Sequence, residues 1–408
     1  MVADEWMELS IKVGEVFTPS APVDVKQLFA GRKEQLIQIA DVINQKGQHA
    51  IIFGERGVGK TSLANVITAI FSSSDVKSLR KNCDSADDYT SLWKKILEEI
   101  KLFQQNRPMG FNAQTSLDII PLANLVDDEI TPDKVRQALS LISSNVKTIL
   151  IIDEFDRLSI QNARSAMADT IKTLSDHAVN TTLILVGVAD SVDELIKEHQ
   201  SIERALVQIK MPRMSDEEIR QIIDTRLPGL DMTIDDNAKN HITLLSRGLP
   251  HYTHLLALHS ARKALDNKSR NITLRHVEES IPKALQQSHQ TSLSTYNKAV
   301  SSPQKETIFR QVLLACAFAR TDDLGFFAAA DVREPLSTIM KKPYEIPSFS
   351  GHLYAFCESE RGPILSKKGK PRSFRFRFIN PLLQPFVIMQ GFSDGLIDTP
   401  TLEVLRRK

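Results

Sequence analysis

Apolar positions fall into two patterns that change along the chain. From residue 46 to 212, short apolar runs alternate with stretches of helical period: "AIIF", "VKSL", "TILIID", "TLILVGV" and "ALVQIKM". Each run is continuous, as a strand buried on both faces requires, and a helical segment separates it from the next. The pattern predicts parallel βαβ units and an α/β sheet covered on both sides. Residues 103–131, rich in Asn, Pro and Gln, interrupt it and read as a loop insertion. From "SDEEIRQII" to residue 290 the period is helical throughout, and four helices are expected, the last beginning at Thr273. "SHQTSLSTYN" then reads as a linker.

The flanks follow other rules. Residues 1–45 hold an extended arm, "VFTPSAPVDV", and an amphipathic helix, "GRKEQLIQIADVINQKG". Beyond the linker, Ser302-Pro303 suits an N-cap with proline at the first helical position of a helix ending near Arg320. Shorter helical pieces precede a hairpin, "PILSKKGKPRSFRFRFI", whose alternation puts Phe374, Phe376 and Phe378 on one side and Arg375 and Arg377 on the other. The expected organisation is an arm and helix (1–45), an α/β core (46–212), a helical segment (213–290), a C-terminal module (300–392) and a tail (393–408).

A chain of 408 residues exceeds one compact core and suits two or three domains. The net charge of +1 points to no class of partner, because a local basic patch can hide in a neutral total. Cys83, Cys316 and Cys357 are far apart and form no CxxC pair, which argues against a zinc knuckle or a disulfide framework. "MVADEWMELS" lacks an apolar signal core, and no run approaches the roughly 18 apolar residues of a membrane span. The expectation is a cytoplasmic protein with no membrane partner.

Chemistry enters with "AIIFGERGVGKTSLANVI", residues 50–67. Gly54-x4-Gly59-Lys60-Thr61 lies between an apolar strand and a helix, where glycines let successive N–H groups surround phosphate oxygens. The helix adds its positive end. Gly54, Glu55, Arg56, Gly57, Val58, Gly59, Lys60, Thr61 and Ser62 are the expected cradle for ATP. Lys60 would reach the β- and γ-phosphates and Thr61 would ligate Mg²⁺. A second strand, "TILIIDEFDRL", ends in adjacent carboxylates: Asp153 to support the metal and Glu154 to polarise an attacking water.

With "LFAGRKEQL", "IIDEFDRL" and "LILVGVADSVDEL", the chain resembles the AAA+ ATPases, most of all the origin-recognition and initiator-loading ATPases and their archaeal and bacterial relatives. The resemblance covers most of residues 20–290 and makes residues 213–290 a helical lid. It implies a polar γ-phosphate contact at Asp190, with Ser191 as the fallback, although the family more often has Asn there and Asp190 equally suits an N-cap. It also implies an arginine finger at Arg204, a position that an exposed surface arginine would suit as well. His251 stands where a lid arginine would fall, which puts lid-driven sensing in doubt. Gly248-x-Pro250 resembles the STAND signalling ATPases, which use bound nucleotide to hold an assembly-competent state. His251, His254 and His259 lack a completing carboxylate or cysteine and read as ordinary helix histidines, not a metal site.

Residues 300–392 resemble a winged helix. Its hairpin gathers Lys367, Lys368, Lys370, Arg372, Arg375 and Arg377, the expected contacts to duplex DNA. The expected recognition helix, "SFSGHLYAFCESE", has no Lys or Arg, so backbone contact is favoured over base reading. Two functions stay open at this point. One is an ATP-hydrolysing AAA+ switch that couples nucleotide state to DNA engagement. The other is a STAND-like signalling ATPase acting on a protein effector or a homo-oligomeric assembly. A small-molecule kinase fits less well, since neither lid nor wing offers an acceptor pocket.

Overall fold

The computed structural model describes all residues except 1, 23–29, 74, 107–115, 144–145, 159–160, 189–201, 289, 303–306, 323, 371–372 and 407–408. In chain order the first part comprises α1 (Val2–Val16), α2 (Lys33–Asn44), β1 (His49–Phe53), α3 (Lys60–Phe71), β2 (Val76–Asn82), α4 (Tyr89–Glu99), β3 (Lys101–Asn106) and β4 (Ser116–Pro121). Then come α5 (Pro132–Ser143), β5 (Lys147–Asp153), α6 (Gln161–Asp176), β6 (Thr181–Gly187) and β7 (Leu206–Lys210). All five predicted apolar runs form one sheet in the order β2-β5-β6-β1-β7, and every pairing in it is parallel.

The continuous apolar runs are explained by the sheet's two faces. Ala50, Ile52, Ile149, Ile151, Ile184 and Val186 join one core, while Ile51, Leu150, Ile152, Leu183 and Leu185 join the other. Alternate side chains of a strand point to opposite faces, so burial on both removes the usual apolar–polar alternation. One core is closed by α4, α5 and α6, with Trp93 fully buried in it.

The lid region holds four α-helices among the described residues, α7 (Asp216–Asp224), α8 (Asp236–Ser246), α9 (Pro250–Asp266) and α10 (Leu274–Gln287), and a short parallel pair, β8 (Thr233–Ile234) with β9 (Asn271–Ile272). Ser215 and Glu218 form a capping box that starts α7. Beyond them lie α11 (Gln290–Val300), α12 (Phe309–Phe318), β10 (Phe327–Ala328), α13 (Ala329–Met340), α14 (Ile346–Ala355), β11 (Leu365–Lys368), β12 (Arg375–Phe378), α15 (Leu383–Ser393) and α16 (Thr399–Arg406). The hairpin of β11 and β12 is antiparallel as expected, and β10 adds a third strand on the β12 side. Lid and C-terminal module share one continuous apolar core with the other face of the sheet.

Four expectations change. Lys101–Asn106 and Ser116–Pro121 pair as antiparallel β3 and β4, largely within the stretch expected to be loop. The supposed linker is α11, because Ser292, Tyr296, Ala299 and Val300 recur at helical spacing and are buried beneath a Ser/Thr-rich composition. The tail carries α16, anchored by buried Leu402 and Leu405. The N-terminal segment is itself helical as α1, with Leu9, Val13 and the following Phe17 buried. Ser302 is described but Pro303 is not, and the described helix there begins at Phe309.

Buried histidines give this core a pH dependence. His49 opens β1 fully buried, and its Nδ1 accepts the Leu183 N–H at 3.0 Å. Burial lowers His49 and His241 to about 4 and His254 to about 3. The unfolded chain takes up protons below about pH 6.5, and the folded chain does not until near these lower values. Stability is therefore full above pH 6.5 and declines as pH falls, by about 2 kcal/mol per histidine at pH 5. Urea unfolding at pH 7 and pH 5 checks this. In His49→Asn, whose amide oxygen can take the same N–H, the loss should shrink by about one histidine's share; equal stability of the wild type at both pH values would refute the account.

Candidate functional site

The turn between β1 and α3 sits at the carboxyl end of the sheet, where α/β folds place ligands. Gly57 and Gly59 have φ of 88° and 96°, so the turn needs glycine there. Gly54 is constrained differently: a Cβ on it would lie 2.3 Å from the Met211 carbonyl just beyond β7. Lys60 Nζ donates to the carbonyls of Gly54 and Glu55 at 2.9 and 2.8 Å, bracing the turn. Burial lowers the Lys60 pKa, and Asp156, Asp153 and Glu55 oppose that shift by favouring the cation.

A cleft of about 400 Å³ opens here, within the range of small-ligand sites. Arg56, Gly57, Gly59, Lys60, Thr61 and Ser62 line one wall, and Asp153, Glu154 and Asp156 line another. Asp153 ends β5 with its side chain 3% exposed; Oδ1 accepts the Glu154 N–H at 2.8 Å. Arg80 Nη2 lies 3.0 Å from Oδ2, yet Oδ2 has no hydrogen bond among the described residues. A buried carboxylate with lone pairs to spare, facing the same cleft as a threonine hydroxyl, is a donor set that fits Mg²⁺. Glu154 adopts φ 56° and pairs with Arg157 at 3.2 Å.

Residues 22–325 match the sequence profile of novel STAND NTPase 1. The chain belongs to this family.

It is a P-loop NTPase of the STAND type, the kind that Gly248-x-Pro250 pointed to. Among solved structures, the Walker-type ATPase PABY2304 of Pyrococcus abyssi is similar at TM-score 0.52 and 14% identity, covering 91% of this chain and 99% of its own. The Aeropyrum pernix ORC2 protein, solved as ADPNP–ADP complexes, is similar at TM-score 0.48 and 16% identity, over 97% and 98% of the two chains. No curated protein sequence matches the chain.

The expected cradle of this STAND NTPase divides between two clefts. Val58 turns its side chain into the core, and its carbonyl accepts from Arg32 Nη2 at 2.9 Å. Gly54 and Glu55 line a second cleft, which Arg56 also borders and whose far wall is the C-terminal module: Asp322, Leu324, Arg377 and Pro381. Glu55 pairs with Arg213 at 2.6 Å, and a Cβ on Gly325 would lie 2.3 Å from the Glu55 carboxylate. A Cβ on Gly57 would meet Leu382 at 2.7 Å, and Tyr252 Oη donates to the Leu382 carbonyl at 2.7 Å. The module thus bears directly on the turn.

Another wall comes from the arm, to which the sequence pattern gives no chemical role, and from His251 and His254, which read there as ordinary helix histidines. The arm supplies Thr18 to Pro22; Thr18 N–H donates to His254 Nδ1 at 3.2 Å, and the Pro19 carbonyl lies 2.7 Å from His251 Nδ1. Arg32 is 2% exposed at φ 63°, with Nε and Nη1 unpartnered among the described residues. Its backbone N–H donates to Glu218 at 2.7 Å, which ties the arm to the α7 capping box. Gly31-Arg32 at the head of an amphipathic helix was the available signal; only packing reveals that the arginine points inward. Arg32 borders a small cavity with Gly59, Ser62, Arg226, Pro250 and His254.

Asp190, Ser191 and Arg372 lie outside the described residues. Arg204 is 76% exposed and pairs with Asp176 of its own chain at 2.7 Å, outside both clefts described above. The histidines form no metal cluster among the described residues, and His259 Nε2 lies 2.6 Å from Gln287 Oε1. On the hairpin, Phe376 and Phe378 are buried as expected. Arg375 pairs with Asp322 at 3.1 Å, while Arg377 stacks on Phe326 and faces the second cleft. Lys367 pairs with Glu358 at 3.3 Å; Lys368 and Lys370 are exposed. Among the described residues no helix is long and apolar enough to cross a membrane.

Proposed function

We propose that this STAND NTPase is an ATP-hydrolysing molecular switch in which Mg²⁺ and ATP, held by the β1–α3 turn, set the position of the C-terminal module and thereby its availability to a protein effector or to further copies. The supporting observation is the seat of that module on the turn, with Leu382 against Gly57 and Gly325 against Glu55. A ligand that rearranges the turn must then act on the module, because close-packed contacts are bistable and do not deform continuously. Lys60 would hold the β- and γ-phosphates. Thr61 and Asp153 would hold the ion, which neutralises phosphate charge when bound. Glu154 would orient water once free of Arg157. Full switching between two states asks for roughly 5.5 kcal/mol of differential binding.

Duplex DNA remains the second reading, supported by Lys367, Lys368 and Lys370 on the hairpin. The engagement of Arg375 and Arg377 with the 322–326 loop and the second cleft weighs against a fully basic wing.

One titration separates the two. Particle mass is followed by light scattering with ADP or ATP, with and without a duplex at low salt. The switch reading expects a mass or shape change with ATP and no duplex binding. Duplex affinity that rises with ATP, with a log–log salt slope of about 0.9 per phosphate neutralised, would replace it with the second reading. A chain indifferent to nucleotide and duplex alike would sink both.

A further inference from the structure

Arg80, which pairs with Asp153, touches both elements that would bear the metal. It lies near the carboxyl end of β2, an edge strand of the sheet, with its side chain 21% exposed. Nη2 lies 3.0 Å from Asp153 Oδ2 and donates to Asn82 Oδ1 at 2.9 Å, while Nη1 donates to Asn65 Oδ1. Asn65 is on α3 four residues after Thr61, so the two share one helix face a turn apart. The guanidinium therefore links the helix that carries Thr61 to the strand that carries Asp153.

We propose that Arg80 is the positioning residue of the metal site, holding these two elements in register and supplying at Asp153 the positive charge that the ion supplies once bound. The inference rests on reading the cleft as a Mg²⁺–nucleotide site. A buried carboxylate without a cation is costly, so Asp153 needs a partner whenever the cleft lacks metal. The approach of Nη2, close enough for an ion pair but making no hydrogen bond, leaves Oδ2 buried with its hydrogen-bonding capacity unused, on a residue that lines the cleft. Two positive charges then share one carboxylate, and they oppose each other. Arg80 keeps the metal-free site assembled and weakens its hold on the ion.

The test uses the full chain with saturating ADP and Mn²⁺ as the probe, free Mn²⁺ being measured by electron paramagnetic resonance. Arg80→Met is expected to bind Mn²⁺ about tenfold more tightly, or about 1.4 kcal/mol. It should also melt at lower temperature than wild type without metal and recover most of that loss with Mn²⁺–ADP. Arg80→Lys, which keeps the charge, should bind Mn²⁺ much as wild type does. If the methionine variant does not fold, Arg80→Gln retains polar reach to Asn65 and Asn82 and carries the same expectation. Mn²⁺ affinity unchanged or weakened in a charge-removing variant that takes up ADP normally overturns this inference alone. A wild type that takes up neither ADP nor Mn²⁺ overturns the nucleotide-site reading, and this inference with it.

Discussion

Lys60→Ala is expected to lower ATP affinity at least a hundredfold while lowering the melting temperature of the unliganded chain by only a few degrees. The asymmetry follows from the site. In the unliganded turn Lys60 makes hydrogen bonds to the carbonyls of Gly54 and Glu55, contacts worth about 1.5 kcal/mol or more each from a charged donor but offset in part by the cost of burying that charge. Toward a triphosphate the lysine is the central cation among Glu55, Asp153 and Asp156, the carboxylates that favour its charged form. Its removal costs a charge-assisted contact and leaves those carboxylates facing phosphate, a combined loss of roughly 3 kcal/mol or more. Calorimetry with ATP and Mg²⁺ reads the affinity, and thermal denaturation without ligand reads the stability. Affinity within a few-fold of wild type would remove Lys60 from the phosphate site. A collapse in stability would make it a structural lysine.

That site was legible in the sequence because its chemistry is local. Glycines, lysine and threonine occur within one turn, and β5 announces its carboxylates by ending in them. The five strands were legible for a related reason: burial on both faces leaves uninterrupted apolar runs such as "TILIID". What escaped depends on contacts between distant segments. No periodicity says that Leu382 will close on Gly57, or that Arg80 will reach both Asn65 and Asp153. Arg32 reads as an ordinary helix-flanking cation until α7 and the turn bury it. α11 was hidden by composition, since serines and threonines suggest a linker while Tyr296, Ala299 and Val300 keep a helical face. The hairpin shows the reverse error. Its arginines were counted as one outward patch, yet strand alternation alone could not reveal that the 322–326 loop would take Arg375 and Arg377.

The module's seat on the turn yields the other large effect: Gly325→Val is expected to speed release of bound ADP at least tenfold and to make the C-terminal module sensitive to protease. Gly325 has φ 79°, where a β-branched residue is strained by more than about 1 kcal/mol. Its added Cβ would also fall 2.3 Å from Glu55 Oε1, with the Arg377 side chain 3.6 Å away. Glu55 has little room to yield, because it is 15% exposed and held by Arg213 at 2.6 Å. Either the Glu55–Arg213 pair breaks or the 322–326 loop withdraws, and both loosen the contact between turn and module. Gly351→Ala serves as the control: it lies in α14 of the same module with open space around it, and helix propensity makes alanine neutral or mildly stabilising there. Stopped-flow release of a fluorescent ADP analogue and timed trypsin digestion read the two expectations together. If Gly325→Val folds and both readouts match the Gly351→Ala control, the contact is packing alone, and control of the module must be sought elsewhere in the molecule. Faster release accompanied by earlier cleavage ties the module's position to the nucleotide through Glu55, since the substitution reaches the turn through that residue.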